Sequence, residues 1–122
     1  MSTELKTLIG KLNPNCRKAL EEAAGLCVSQ TNYNVEIEHY LLKLMETPES
    51  DLHRLLRYYE IDSSSFKGEL TSAMNRLKRG NNRTPALSPH IPRLLQEAWV
   101  FSSLHFGGEQ IRGGALFLAL LD

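Results

Sequence analysis

Glu36, Glu38 and His39 make the nearest approach to an acid–base cluster in this chain of 122 residues. An imidazole beside carboxylates could move a proton in general acid–base catalysis. The same residues also have a plainer use, because carboxylates in the first turn of a helix are favoured by its dipole. With no second polar group converging on them, the capping use is the stronger reading. Ser63, Ser64 and Ser65 offer hydroxyls without a histidine partner to activate one, so the run reads as helix capping. Gly107-Gly108 and Gly113-Gly114 are too sparse for a phosphate loop, and no GxxxxGK[ST] occurs. Both pairs read as turns around a helix start. Cys16 and Cys27 share one helical stretch, about 16 Å apart at the helical rise, too far for a disulfide. They read as reduced, buried small side chains. Four His and two Cys show no CxxC or HxxxH spacing, so neither a metal site nor a cofactor site is expected. Arg76, Lys78, Arg79 and Arg83 form a local basic patch, read as cations after a helix end and in a linker.

The bulk composition narrows the field further. Fourteen Lys+Arg balance fourteen Asp+Glu, and the apolar fraction is 42%. That composition suits a globular domain with a real core and argues against disorder and against a nucleic-acid-binding whole surface. The longest apolar run, Ala115 to Leu121, is too short to span a membrane. Glu4 sits among the first apolar residues, so no signal peptide is expected and a cytoplasmic protein is the default.

The pattern that must position these groups is helical almost throughout. Leu5, Leu8, Ile9 and Leu12 follow i, i+3, i+4, i+7 after cap candidates Ser2 and Thr3. Asn13-Pro14 restarts the chain as N-cap and first-turn proline. Cys16, Ala19, Leu20, Ala23 and Cys27 stripe a second helix running to about Gln30. A third helix from about Glu36 to Glu46 is apolar nearly all round and should be central. Thr47-Pro48 ends it. Ser50 or Glu49 would cap a fourth helix carrying Leu52, Leu55, Leu56 and Tyr59. Asp62 and the serine run would cap a fifth with Phe66, Leu70, Ala73, Met74 and Leu77, closed by Gly80 in the C′ role.

The chain then starts again. Ser88-Pro89 repeats Asn13-Pro14. At an offset of 75, Leu12, Pro14, Leu20, Glu22 and Ala23 face Leu87, Pro89, Leu95, Glu97 and Ala98. At an offset of 76, Leu41 to Met45 face Phe117 to Leu121, one residue being inserted in the turn from Phe106 to Glu109. The expected fold is all-α: a pseudo-twofold pair of four-helix repeats, with repeat one over about 3–79, a linker over 80–87 and a partial repeat two over 88–122. The second copy stops where the first continues with two more helices, so the chain is expected to be a fragment of a longer domain and a longer protein. Trp99 faces Ala24 across the repeat and is expected to fill the seam between copies.

A short terminal helix is stable only when docked. Beside the apolar linker residues Pro85, Ala86 and Leu87 it is also a candidate wall of a groove. We expect Leu5, Leu8, Ile9 and Leu12 on one side and Thr84, Pro85, Ala86 and Leu87 on the other. The ligand would be an amphipathic helix with apolar anchors at i, i+3, i+4 and i+7.

Two repeats, each with a proline-started helix and a turn into an E-H-x-L-L-type helix, resemble the Clp N-terminal domain of AAA+ unfoldases. The residues that carry the resemblance are Leu12-Asn13-Pro14, Leu20-Glu21-Glu22-Ala23-Ala24-Gly25-Leu26-Cys27, and Val35 to Leu44. Within the family they look most like the ClpV (TssH) branch, the ATPases of bacterial type VI secretion. Ile37 departs from the wider pattern, where a Thr caps the third helix. The resemblance implies a binding module, not a catalyst. It implies docking of the N-terminal helix of the sheath protein VipB (TssC) and disassembly of contracted sheaths. The parent would be a homohexamer using ATP in rings outside this chain. It also adds Ile111 and Gly113 to the groove. The alternatives are a general adaptor- or substrate-binding domain of another AAA+ unfoldase, or a nucleic-acid-binding helical module. Neither nucleic acid nor membrane is expected as a partner.

Overall fold

The computed structural model describes residues 3–46, 51–102, 110–111, 115–116 and 119–120. These residues form six helices: α1 (Thr3–Lys11), α2 (Pro14–Ser29), α3 (Ile37–Met45), α4 (Asp51–Tyr58), α5 (Ser63–Asn75) and α6 (His90–Phe101). Two two-residue strands, β1 (Asn34–Val35) and β2 (Ala86–Leu87), pair in parallel. Residues 115–116 and 119–120 are also helical. The all-α reading holds, with this small pairing added.

α2 and α5 begin where a capping side chain dictates. The Asn13 side chain accepts a hydrogen bond from the Cys16 N–H at 2.8 Å, and Pro14 occupies the first turn. Such a cap contributes about 1 kcal/mol. Asp62 does the same for α5, accepting from the N–H and hydroxyl of Ser65 at 3.1 and 2.8 Å. At α6 the Ser88 hydroxyl accepts from the His90 N–H at 3.3 Å. The helix starts at His90, so Pro89 stands just outside it instead of in its first turn. The α4 cap and the Thr47-Pro48 stop lie outside the described residues.

The packing follows the stripes. Cys16, Ala19, Leu20, Ala23 and Cys27 are all buried on α2. Six residues of α3 are buried, from His39 to Met45 with Lys43 left out. Each of its large apolar side chains contributes about 1.5–3 kcal/mol of transfer free energy. Tyr40 is fully buried, and its hydroxyl donates to the Cys16 carbonyl at 3.0 Å, tying α3 to α2. Burial raises the Tyr40 pKa far above the ordinary phenol value.

Two helix ends differ from expectation. The sequence spacing puts Tyr59 on the apolar stripe of α4, but the helix stops at Tyr58 and Tyr59 is 46% exposed. The reason is a left-handed residue, Glu60 (φ 57), that turns the chain so that the Ile61 N–H bonds the Leu56 carbonyl at 2.8 Å. Gly80 is not the C′ residue of α5, because that helix ends at Asn75 with Arg76 as its C-cap. Gly80 instead takes φ 102 in a later turn, where its N–H donates to the Thr31 hydroxyl at 3.1 Å.

The repeat is written into the backbone pairing. Val35 pairs with Leu87, and Leu12 forms a parallel bridge with Ile111. The offset of 75 relates Leu12 to Leu87, and the offset of 76 relates Val35 to Ile111. The residue before the proline-started helix of each copy therefore pairs with the residue before the buried helix of the other. The hydrogen bonds match: Asn13 N–H to Ile111 carbonyl at 2.9 Å, and Ser88 N–H to Val35 carbonyl at 3.0 Å. This reciprocity is what a pseudo-twofold fold requires.

A buried polar chain locks the same region. The His39 Nδ1 accepts the Glu36 N–H at 2.9 Å, which caps α3 and answers the absence of a Thr at Ile37. The ring's proton is therefore on Nε2, 2.9 Å from Asn32 Oδ1. Asn32 in turn donates to the Lys78 carbonyl at 3.0 Å. His39 is fully buried, and burial pulls its pKa below the usual imidazole value, against the opposing pull of Glu38 and Glu36.

Two outcomes are expected. Cys16 and Cys27 are buried thiols, and burial raises the Cys27 thiol pKa, with the Glu36 charge adding to it. Thiol-reagent labelling of the native chain is therefore slow and accelerates in denaturant. Rapid labelling without denaturant is the contrary result. For His39, the unfolded chain binds the extra proton first as pH falls below about 6.5. Stability is thus complete above that value and is lost as pH falls from there towards the lowered native pKa. Urea unfolding from pH 7.5 to 5.5 should show this loss, and His39→Gln, which keeps an acceptor and a donor, should flatten it. Equal slopes in both proteins would contradict the assignment.

Candidate functional site

One pairing fixes the junction of α1 and α2 against Ile111, and the other fixes the 84–87 segment against β1. α1 is nine residues long, too short to be helical alone. It is held by packing on α6, and Lys11 Nζ lies 4.6 Å from the Trp99 ring centroid, a cation–π contact across the seam. Trp99 is half-buried there, as a seam residue should be.

The expected groove residues divide by exposure. Leu5, Leu8 and Ile9 are half-buried, packed against the core with part of each surface open to water. Leu12 and Ile111 are 0% exposed and joined by backbone pairing. They frame the site from within and do not line it, because α1's last turn is drawn into the bridge that closes the fold. Thr84 and Ala86 are exposed, while Pro85 and Leu87 are half-buried. The contacts that place Ala86 and Leu87 are with Asn34 and Val35. Gly113 lies outside the described residues, as do Gly107, Gly108 and Gly114. β1 escaped the sequence reading because two residues give no alternation to detect. Lys11 escaped it because a cation beside an aromatic leaves no periodic signal.

The candidates for chemistry are used structurally. His39 caps α3 through the Glu36 N–H. Ser65 is bonded to Asp62, whose carboxyl pKa is lowered by those two hydrogen bonds. Among the described residues no group of His, Cys, Asp and Glu could hold a metal ion. No buried side-chain polar atom among them lacks a hydrogen-bond partner. A cleft of about 240 Å³ between α4 and α5 is lined by His53, Leu56, Arg57, Ile61, Asp62 and Ser63. Its His53 is bonded to the Met45 carbonyl at 2.7 Å. What this geometry offers is a partly open apolar surface suited to binding.

The Clp repeat (R) N-terminal domain family matches residues 11–122. AAA+ ATPase ClpV1 of Pseudomonas aeruginosa is 38% identical over 114 residues, covering 93% of this chain and 13% of that protein. Chaperone protein ClpB of Yersinia enterocolitica is 35% identical over 121 residues, 99% of this chain and 14% of the relative. A solved complex of a ClpV N-domain with a VipB peptide superposes with a TM-score of 0.87 at 39% identity, covering 99% of this chain and 74% of that one. The chain thus spans about one seventh of the curated relatives it matches. Nearly its whole length folds as that solved N-domain does, and it belongs to the Clp repeat (R) N-terminal domain family.

Proposed function

We propose that this chain is the recruiting domain of a ClpV-type AAA+ unfoldase. It docks the N-terminal helix of a VipB/TssC sheath protein and so brings contracted type VI secretion sheaths to the unfolding machinery. The observation that carries this reading is the likeness, over almost the entire chain, to a ClpV N-domain solved with a VipB peptide. The groove runs between the open faces of Leu5, Leu8 and Ile9 and the segment from Thr84 to Leu87, with Leu12 and Ile111 as its buried frame; Gly113 is added to it by the family resemblance alone. Buried anchors of an amphipathic helix each gain about 1.5–3 kcal/mol. Entropy losses on association offset much of this, so a single domain binds at about micromolar strength. Copies of the domain on a homohexamer facing a repeating sheath raise the effective concentration and hence the avidity. ATP is bound and used by parts of the parent protein beyond this chain, in the cytoplasm. Among the described residues no helix is long and apolar enough to cross a membrane. A second reading, a general substrate-binding domain of the ClpB kind, is supported by the 35% identity to that chaperone.

Two measurements test the proposal. Thr84 and Ala86 are exposed, so Thr84→Glu and Ala86→Glu should leave melting unchanged while weakening binding of a sheath N-terminal helix peptide at least tenfold by fluorescence anisotropy. Unaltered binding in both would move the site elsewhere, and equal binding of unrelated unfolded peptides would favour the ClpB-like reading. Calorimetry of the chain with ATP should give no binding heat, and a measurable affinity would overturn the module reading.

A further inference from the structure

Residues 76–83 carry Arg76, Lys78, Arg79 and Arg83, all exposed, and no acidic residue. In a chain of zero net charge this is a local excess of four positive charges. The ion pairs seen among the described residues are Lys43–Glu46 and Arg54–Asp51, so none of the four is paired with a carboxylate of those residues. Arg79 bonds the neutral Asn75 side chain at 3.1 Å, and Lys78 Nζ lies 5.3 Å from the ring centroid of Tyr33.

The segment carrying these charges is tied down. Thr31 O accepts from the Asn81 N–H at 2.9 Å, and its hydroxyl accepts from Gly80 N–H. Asn81 Nδ2 donates to the Asn32 and Arg83 carbonyls at 3.2 and 3.0 Å, and its Oδ1 accepts from Arg83 N–H at 3.1 Å. Asn32 holds the Lys78 carbonyl. Thr31 itself stands at φ 55, a costly conformation for a β-branched residue, sustained by these bonds. A solvated connector has no need of such anchoring. Pre-ordering a charged segment lowers the entropy lost when a partner binds it.

We propose that residues 76–83 form a basic shelf that takes an acidic stretch of the same polypeptide whose amphipathic helix lies in the groove. The inference rests on the groove reading above. Arg83 is joined directly to Thr84, so the shelf continues the groove's 84–87 wall. Four cations complement a short acidic segment, whereas nucleic-acid binding commonly engages more phosphates along a longer track. Electrostatic complementarity of this kind sets partner choice and binding orientation more than raw affinity.

The test uses the whole chain and a sheath N-terminal helix peptide extended, at either end, by a run of Glu or a run of Gln. With several exposed charge pairs formed, the Glu extension at one end should tighten binding about fivefold to tenfold over the Gln extension at low salt. The gain should vanish in high salt. The Arg76→Glu, Arg79→Glu, Arg83→Glu variant should lose the gain, still bind the Gln-extended peptide normally, and melt as the parent does. Equal binding of Glu- and Gln-extended peptides overturns the shelf and leaves the groove standing. Binding of neither peptide overturns both. A single-stranded oligonucleotide that binds more tightly than the Glu-extended peptide, and is lost in the triple variant, would give the shelf to nucleic acid and overturn the proposal.

Discussion

Everything in this fold hangs on two short parallel backbone pairings, Leu12 with Ile111 and Val35 with Leu87. They are small as sheet, but they occur where two helical units must close on one another. Leu12 and Ile111 are wholly buried, and Val35 nearly so. Their peptide groups are removed from water together with the side chains. An unpaired buried N–H or carbonyl costs about 1–3 kcal/mol, so each copy needs the other to satisfy its own backbone. The pairing is mutual, and neither unit is complete without it.

That constraint explains where a binding surface can lie. The end of α1 is drawn inward by the bridge at Leu12, while Leu5, Leu8 and Ile9, farther from it, stay half-open. The 84–87 segment is held along β1 through the Ala86 and Ser88 N–H groups, leaving Thr84 and Ala86 outward. The candidate walls thus come from the first helix and from the linker between the copies, each held beside one of the two pairings. Preorganisation of this kind reduces the entropy cost of docking a helix.

Much of this was legible in the sequence, for identifiable reasons. Asn13-Pro14 names a helix start because one residue supplies the cap and the next lacks the N–H a first turn does not need. The all-round apolar character of α3 forecasts its central place. What escaped was non-periodic. β1 and β2 are too short to alternate. Tyr59 fell off its stripe because Glu60 adopts a left-handed conformation that no helix period encodes. Gly80 was recognisable as a positive-φ position, yet its partner is Thr31, far along the chain. At the site, helical spacing picked out Leu5, Leu8, Ile9 and Leu12 alike. Only the tertiary pairing separates the buried Leu12 from the other three.

The distribution of polar groups bears on what kind of work the domain does. Enzymes commonly hold groups with tuned ionisation in a cleft where they can act. Here the histidine with a lowered pKa is sealed and bonded on both ring nitrogens, one to the Glu36 N–H and the other to Asn32. The raised thiol of Cys27 faces the Asn34 carbonyl at 3.2 Å inside the same buried network. The perturbed buried groups thus hold 32–36, and Asn32 from there holds the Lys78 carbonyl, in the stretch that leads to one candidate groove wall. Ionisation tuning is a by-product of that fastening. The polar interior therefore holds in place the edge that the proposed docking of a helix requires.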